Sequence, residues 1–394
     1  MAEHDLSRRN VLALGGAASA VALLGERRAA AAKKSHPQVP RRVLGKTGQK
    51  IPILLVGGGA GFKAKLDPRI SVALRHGVDY IDTARKYAGG RSEPRAAETL
   101  KRLGALDKTW ITSKTGHWTA DGLAKDVDAT LKNIGRSKVD LYFLHGLDEL
   151  GPLDDKALIK TVERLKKEGK IRFFGFSCHA GNVVELLHAA SKRSFVDAVM
   201  FRYNFRKYGD KELHRAIDAA HKANVGLIAM KTQASEIGLE DAIAKFEKTG
   251  KYNKYQAALK AVWADQRISA AVSHMENIRQ VKENIAAALD KKSLTLGEHK
   301  ALRRYAEATR PHACDGCDHH CGAAAGAALR VGDALRYLMY HDSYGQKAEA
   351  RALYRALPAE ARRLEGADLT AARRACPHGV DVEAKLLRAR RVLG

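Results

Sequence analysis

A chain of 394 residues, 45% hydrophobic and 29% charged, can bury one large core plus accessory elements, and it reads as globular. Its formal net charge of +25 would suit an acidic partner, but Lys and Arg are spread over nearly every charged stretch without a dense run. The excess is therefore read as a solvated basic surface. No nucleic-acid partner is expected, and without an apolar run of about 18 residues no permanent membrane span is expected either.

In chain order, Ser7-Arg8-Arg9-Asn10-Val11-Leu12 opens a weakly apolar, Ala/Gly-rich stretch to Leu24, and Ala29 to Ala32 offers a small-residue cleavage site. This resembles a bacterial twin-arginine signal, with Val11 where that signal usually carries Phe. The resemblance implies a signal peptide over residues 1–32 and export of the folded protein to the periplasm, which suits a chain that takes up a cofactor before leaving the cytoplasm. An unstructured N-terminus with an accidental arginine pair is the alternative.

From about residue 50, short runs rich in Val, Ile, Phe and Tyr alternate with amphipathic charged stretches, the pattern of repeated β/α units. The predicted strands are Ile51 to Val56, Asp79 to Thr83, Thr109 to Lys114, Val139 to His145, Ile171 to Ser177, Ala198 to Asn204, Val225 to Lys231 and Ser269 to His274. Predicted helices between them include Pro68 to His76, Asp121 to Asn133, Asp154 to Glu168 and Asn277 to Ala288. Eight such units in roughly 250 residues fit a closed (β/α)8 TIM barrel, assigned to residues 41–290. An open doubly wound sheet would usually show a dinucleotide-binding turn after its first strand, and Gly57-Gly58-Gly59-Ala60-Gly61 lacks that spacing. After Ala288 the alternation stops. Residues 291–394 read as a mostly helical second domain with four of the five cysteines.

The polar residues at the strand ends carry the chemistry. Asp82 ends the second strand with Tyr87 in the following loop, Lys114 ends the third and His145 ends the fourth, so all four meet at the rim where barrel active sites sit. Carbonyl reduction by hydride transfer builds charge on oxygen that must be met by a proton. Tyr87 is the candidate donor. Lys114 would stabilise its phenolate and bring its pKa towards working pH, Asp82 would hold Lys114, and His145 would orient the substrate oxygen.

The motifs Asp82-Thr83-Ala84-x-x-Tyr87, Ser92-Glu93, Ser113-Lys114 and Asp140-Leu141-Tyr142-x-x-His145 resemble the aldo-keto reductase superfamily in type and order, from about Arg41 to Ala288. The resemblance implies catalytic roles for Asp82, Tyr87, Lys114 and His145 and a nicotinamide cofactor, NADPH before NADH. It sets Ser177 and Asn204 near the nicotinamide, counts Lys231 among the cofactor-binding residues, and sets the segment from His274 to Asn284 near the adenosine phosphate end, where Arg279 could clasp a phosphate and Asn284 also binds. Three positions depart from the family: Ser177-Cys178 replaces a Ser-Asn pair, Met200 replaces Gln, and Met230-Lys231-Thr232 lacks a stacking aromatic.

In the tail, Cys314-x-x-Cys317-x-x-x-Cys321 with the later Cys376-Pro377 resembles the cluster-binding half of a bacterial ferredoxin, and implies one [4Fe-4S] cluster on Cys314, Cys317, Cys321 and Cys376. The second gap is three residues where two is usual, with His320 at the displaced position. Zinc through two cysteines, His320 and one more ligand is the rival, and disulfides are a third option in an oxidising compartment. Cys178 is read as a packing residue. The whole is thus expected to be an oxidoreductase acting on a small carbonyl or alcohol, with a cluster that is structural or docks an electron-transfer partner protein. The alternative from another class is a non-catalytic redox-sensing or interaction protein built on a barrel scaffold.

Overall fold

The first apolar run divides where the sequence suggested one strand. Its opening part, β2 (Lys50–Pro52), pairs antiparallel with β1 (Arg41–Val43), and the rest becomes β3 (Leu54–Gly57). Pro52 has no N–H to carry the ladder onward, which accounts for the break. The hairpin sends Leu44 and Ile51 into the barrel interior against Leu55, Leu141, Phe143 and Ile228, and Leu44 lies against Gly226 at the start of a later strand, so this hairpin seals the N-terminal mouth.

The other seven runs become β4 (Tyr80–Asp82), β5 (Trp110–Thr115), β6 (Val139–Leu144), β7 (Ile171–Cys178), β8 (Ala198–Arg202), β9 (Gly226–Met230) and β10 (Ala270–His274). In this computed structural model, β3 to β10 close into one parallel barrel in sequence order, β10 pairing with β3. The strands are covered on both faces, which is why they read as near-continuous apolar runs. Residues 36–394 are described, apart from 60, 234–239, 248 and 249, and the arginine pair Arg8-Arg9 lies outside them.

Helices flank the barrel where the 3.6-residue pattern set them, including Pro68–Arg75, Ala120–Ile134, Lys156–Lys167 and Ile278–Leu289. Local signals fix their ends: Asp67 caps the first by accepting from Arg69 N, and Gly135 stops the second in the left-handed region.

Residues 38–394 form one compact unit. Helix Leu296–Ala308 shares a core with Lys254–Ala264 through Phe205, Tyr252, Leu302 and Tyr305, so it packs as part of the barrel layer. A separate tail core begins at Cys321 and gathers Leu338, Tyr354, Leu386 and Leu393 from later helices. The tail is tied to the C-terminal rim of the barrel. Arg330 pairs with Asp148, Arg202 donates to Cys314 O at 2.6 Å, and Lys207 meets Asp315 at 2.9 Å. Among the described residues no helix is long and apolar enough to cross a membrane.

Candidate active site

Parallel register sets Asp82 of β4 beside Thr112 of β5, and two residues further along β5 the side chain of Lys114 again points inward. Its ammonium donates to Asp82 Oδ1 at 2.6 Å and to Thr83 O at 2.8 Å. Tyr87 sits in the turn after β4, held by its N–H to Ala84 O at 3.1 Å, and its ring centroid lies 4.9 Å from Lys114 Nζ. His145 follows β6, its backbone N–H bonded to Thr115 O at 2.7 Å, and its ring meets Tyr87 edge-on at 5.4 Å. The four residues read from the strand ends therefore converge. Glu93 is different: it accepts from Ser113, Thr130 and Asn133 at 2.6 to 2.8 Å and braces β5 from behind.

Burial sets the protonation states. It pushes His145 well below the usual imidazole range, helped by the cations of Lys86 and Lys114, so the ring is neutral. It pushes Tyr87 well above the usual phenol range, and the Asp82 carboxylate adds to the shift. This corrects the expectation that Tyr87 is brought towards working pH: burial outweighs the Lys114 ammonium, which is itself lowered by burial and has Asp82 as its hydrogen-bonded charge. Tyr87 is a loaded acid.

Two cavities meet at these residues. A cleft of about 580 Å³ runs from Asp82 and Tyr87 past Lys231 to Arg279 and Asn284. A chamber of about 670 Å³ lies on the other side, with His145 and Trp118 from the barrel and Arg336 and Tyr337 from the tail. Tyr87, His179, Tyr340 and Glu349 line both.

Of the expected cofactor residues, Lys231, Arg279 and Asn284 line the cleft. Asn284 is fixed by donating to Ser273 Oγ at 3.0 Å, whereas Arg279 is exposed, its guanidinium 3.8 Å from the Glu283 carboxylate. Ser177 and Asn204 are not on the cleft wall, because the rim backbone uses their polar atoms. Ser177 Oγ accepts from Gly146 N at 3.0 Å, and Asn204 donates to Lys231 O at 2.9 Å while capping Arg206 N at 3.0 Å. The aromatic surface missing after β9 comes from the tail. Tyr340 and Tyr344 stack on each other at 5.5 Å, Tyr344 stacks on His274 at 5.5 Å, and Lys231 Nζ lies 4.5 Å from the Tyr340 ring centroid. Nothing in the sequence sets those tyrosines beside the barrel, whereas His179, next to β7, falls where the strand-end rule directs attention.

Cys178 is buried in the barrel core, as read. Cys321 belongs to the tail core, and Cys314 and Cys376 pack against it. Cys321 feels the charges of Cys314, Cys317 and Cys376, and burial pushes its thiol up to about 12 and that of Cys314 to about 11. Among the described residues no three His, Cys, Asp or Glu side chains are grouped closely enough to hold a single metal ion.

The chain matches the aldo/keto reductase family over residues 63–304, a span that ends before Cys314. It is 27% identical to L-galactose dehydrogenase of Arabidopsis thaliana over 308 residues, 67% of this chain and 94% of that one. It is 23% identical to the uncharacterized oxidoreductase YqkF of Bacillus subtilis over 270 residues, 59% of this chain and 85% of that one. In structure it is similar to aldo-keto reductase AKR11C1 from Bacillus halodurans, with a TM-score of 0.57 and 21% identity over 68% of this chain and 96% of that one. The chain belongs to the aldo/keto reductase family. It is an NAD(P)H-dependent oxidoreductase.

Proposed function

We propose that the protein reduces a small aldehyde or ketone, or oxidises the matching alcohol, at the junction of the cleft and the chamber. The observation that carries this reading is Tyr87: it lines both cavities and lies against both Lys114 and His145. A nicotinamide nucleotide bound in the cleft supplies the hydride. Lys231, Arg279 and Asn284 are the residues that would hold it, with the exposed guanidinium of Arg279 as the group to meet a ribose phosphate and so favour NADPH. Tyr87 gives its hydroxyl proton to the carbonyl oxygen, and neutral His145 fixes that oxygen in place. Lys114, held by Asp82, keeps a positive charge beside the ring as the phenolate forms. Purified protein should oxidise NADPH when offered a panel of small aldehydes and ketones. Saturable NADPH binding without turnover across the panel would contradict the reading.

In the tail, Cys314, Cys317, Cys321 and Cys376 would hold one [4Fe-4S] cluster. Support comes from Cys321 in the tail core with Cys314 and Cys376 packed against it, and from Cys317 lying near enough for its charge to act on Cys321. Each thiolate of a cubane binds a different iron, so the ligands stand farther apart than around one zinc ion. The cluster would fix the tail or dock an electron-transfer partner, since it passes single electrons and a hydride carries two. Export through the Arg8-Arg9 signal completes the reading, and the enzyme would then have to carry its nucleotide tightly bound to work in the periplasm.

A further inference from the structure

A third cavity, of about 130 Å³, lies where the tail is seated on the C-terminal rim of the barrel. Its barrel wall carries Arg202 at the end of β8 and Lys231 just after β9, and its tail wall carries Lys385 from the last helix, Val382–Leu393. With Arg206 and Arg336, five cationic side chains line it, against two carboxylates, Asp315 and Asp342.

Those carboxylates do not offset the excess. Asp342 is spent on Arg388 at 2.9 and 3.0 Å and on His341 at 2.9 Å. Asp315 is divided among Lys207 at 2.9 Å, His378 at 3.3 Å and Arg202 at 3.4 Å. Arg336 is matched by Asp333, but Lys231 and Lys385 meet no carboxylate among the described residues. Lys231 Nζ has the Tyr340 hydroxyl at 3.3 Å and the Tyr340 and Tyr344 rings at 4.5 and 5.0 Å. Lys385 Nζ donates to His312 O at 3.4 Å. Burial holds the Lys231 ammonium below its usual range, and the charges of Arg202 and Arg336 lower it further, so these cations stand close enough to repel one another.

Cations gathered in a partly buried hollow attract an anion, and guanidinium and ammonium donors suit an oxyanion. Size narrows the choice. One water occupies about 30 Å³ of liquid, so 130 Å³ has room for about four, enough for a tetrahedral oxyanion and too little for a nucleotide. The cavity adjoins the nucleotide cleft through Lys231, Ser343 and Tyr344, whereas Arg202 and Lys385 line this cavity alone of the two.

We propose that this cavity binds a free tetrahedral oxyanion, phosphate or sulfate, between Arg202 and Lys231 of the barrel and Lys385 of the tail. The anion ties the last helix of the tail to the barrel rim beside Tyr344.

The test uses the full chain, purified anaerobically, at saturating NADPH so that the nucleotide cleft is filled, with ionic strength held constant by chloride. Calorimetric titration with inorganic phosphate should saturate at one site with a Kd of about 1 mM or tighter, and sulfate should compete. Lys385→Met should weaken phosphate by about tenfold, the worth of a hydrogen bond to a charged group, and Lys385→Arg should restore most of it. Arg202→Met should weaken it similarly. Phosphate should also slow hydrogen exchange in residues 382–393 of wild type and not of Lys385→Met. Absence of saturable binding in wild type, or equal affinity in wild type and Lys385→Met, would overturn the site. Tighter binding of glycerol phosphate than of phosphate would give the cavity to the phosphoryl group of a larger ligand and overturn the free ion.

Discussion

Lys114 and Asp82 form an ion pair of 2.6 Å from which water is excluded, with 1% and 5% of their side chains exposed. The pair is locally neutral. Burial and the carboxylate then decide the state of Tyr87 and hold its hydroxyl well above the usual phenol range. The acid form is the one that works in reduction, so the reductive rate should be flat from neutral pH to at least about pH 9. Alcohol oxidation needs the phenolate as base and should keep rising with pH over the same range. A pH profile of each direction checks this, and a reductive rate that falls between pH 7 and 8 would contradict it.

Lys114→Met leaves Asp82 as a buried charge without its partner. Breaking a buried pair from one side costs about 3–5 kcal/mol, so the variant should unfold at markedly lower urea concentration. Lys114→Met with Asp82→Asn should regain much of that stability while staying poorly active. Equal urea midpoints for the single and double variants would show that the pair is not the source of the loss.

The cysteine assignment gives a count. Anaerobically purified protein should be brown, with about four irons and four sulfides per chain. Cys376→Ser should lose most of the iron although it lies far along the chain from the other three ligands, and Cys178→Ser, in the barrel core, should keep it. Removing the metal should raise hydrogen exchange in residues 313–394 while the barrel stays protected. One equivalent of zinc in colourless protein would favour the His320 alternative, and two disulfides by thiol titration would exclude both metals.

Arg8→Lys combined with Arg9→Lys should retain the precursor in the cytoplasm, because the arginine pair is what the export receptor reads. Cell fractionation checks it. Export at the normal rate would remove the localisation.

The barrel was legible because a strand buried on both faces must be apolar along its length, and every one of the eight expected runs supplies a barrel strand. Asp82, Tyr87, Lys114 and His145 were legible for the same reason: strand ends in a barrel share one rim. Ser177 and Asn204 were set near the nicotinamide by resemblance, but the loops spend their polar atoms on Gly146 and Lys231, which only coordinates reveal. Tyr340, Tyr344 and Arg336 come from a tail whose docking depends on long-range pairs such as Arg330 with Asp148. No local pattern encodes such a contact.

The most direct measurement is the turnover of Tyr87→Phe, which removes one hydroxyl and leaves the ring against His145 and Lys114. With NADPH and any aldehyde that wild type reduces, kcat should fall by about 100-fold or more, the usual worth of a general acid, while NADPH binding followed by fluorescence stays nearly unchanged. Turnover of the variant at the wild-type rate would contradict the assignment of Tyr87 as proton donor, and with it the account of the site.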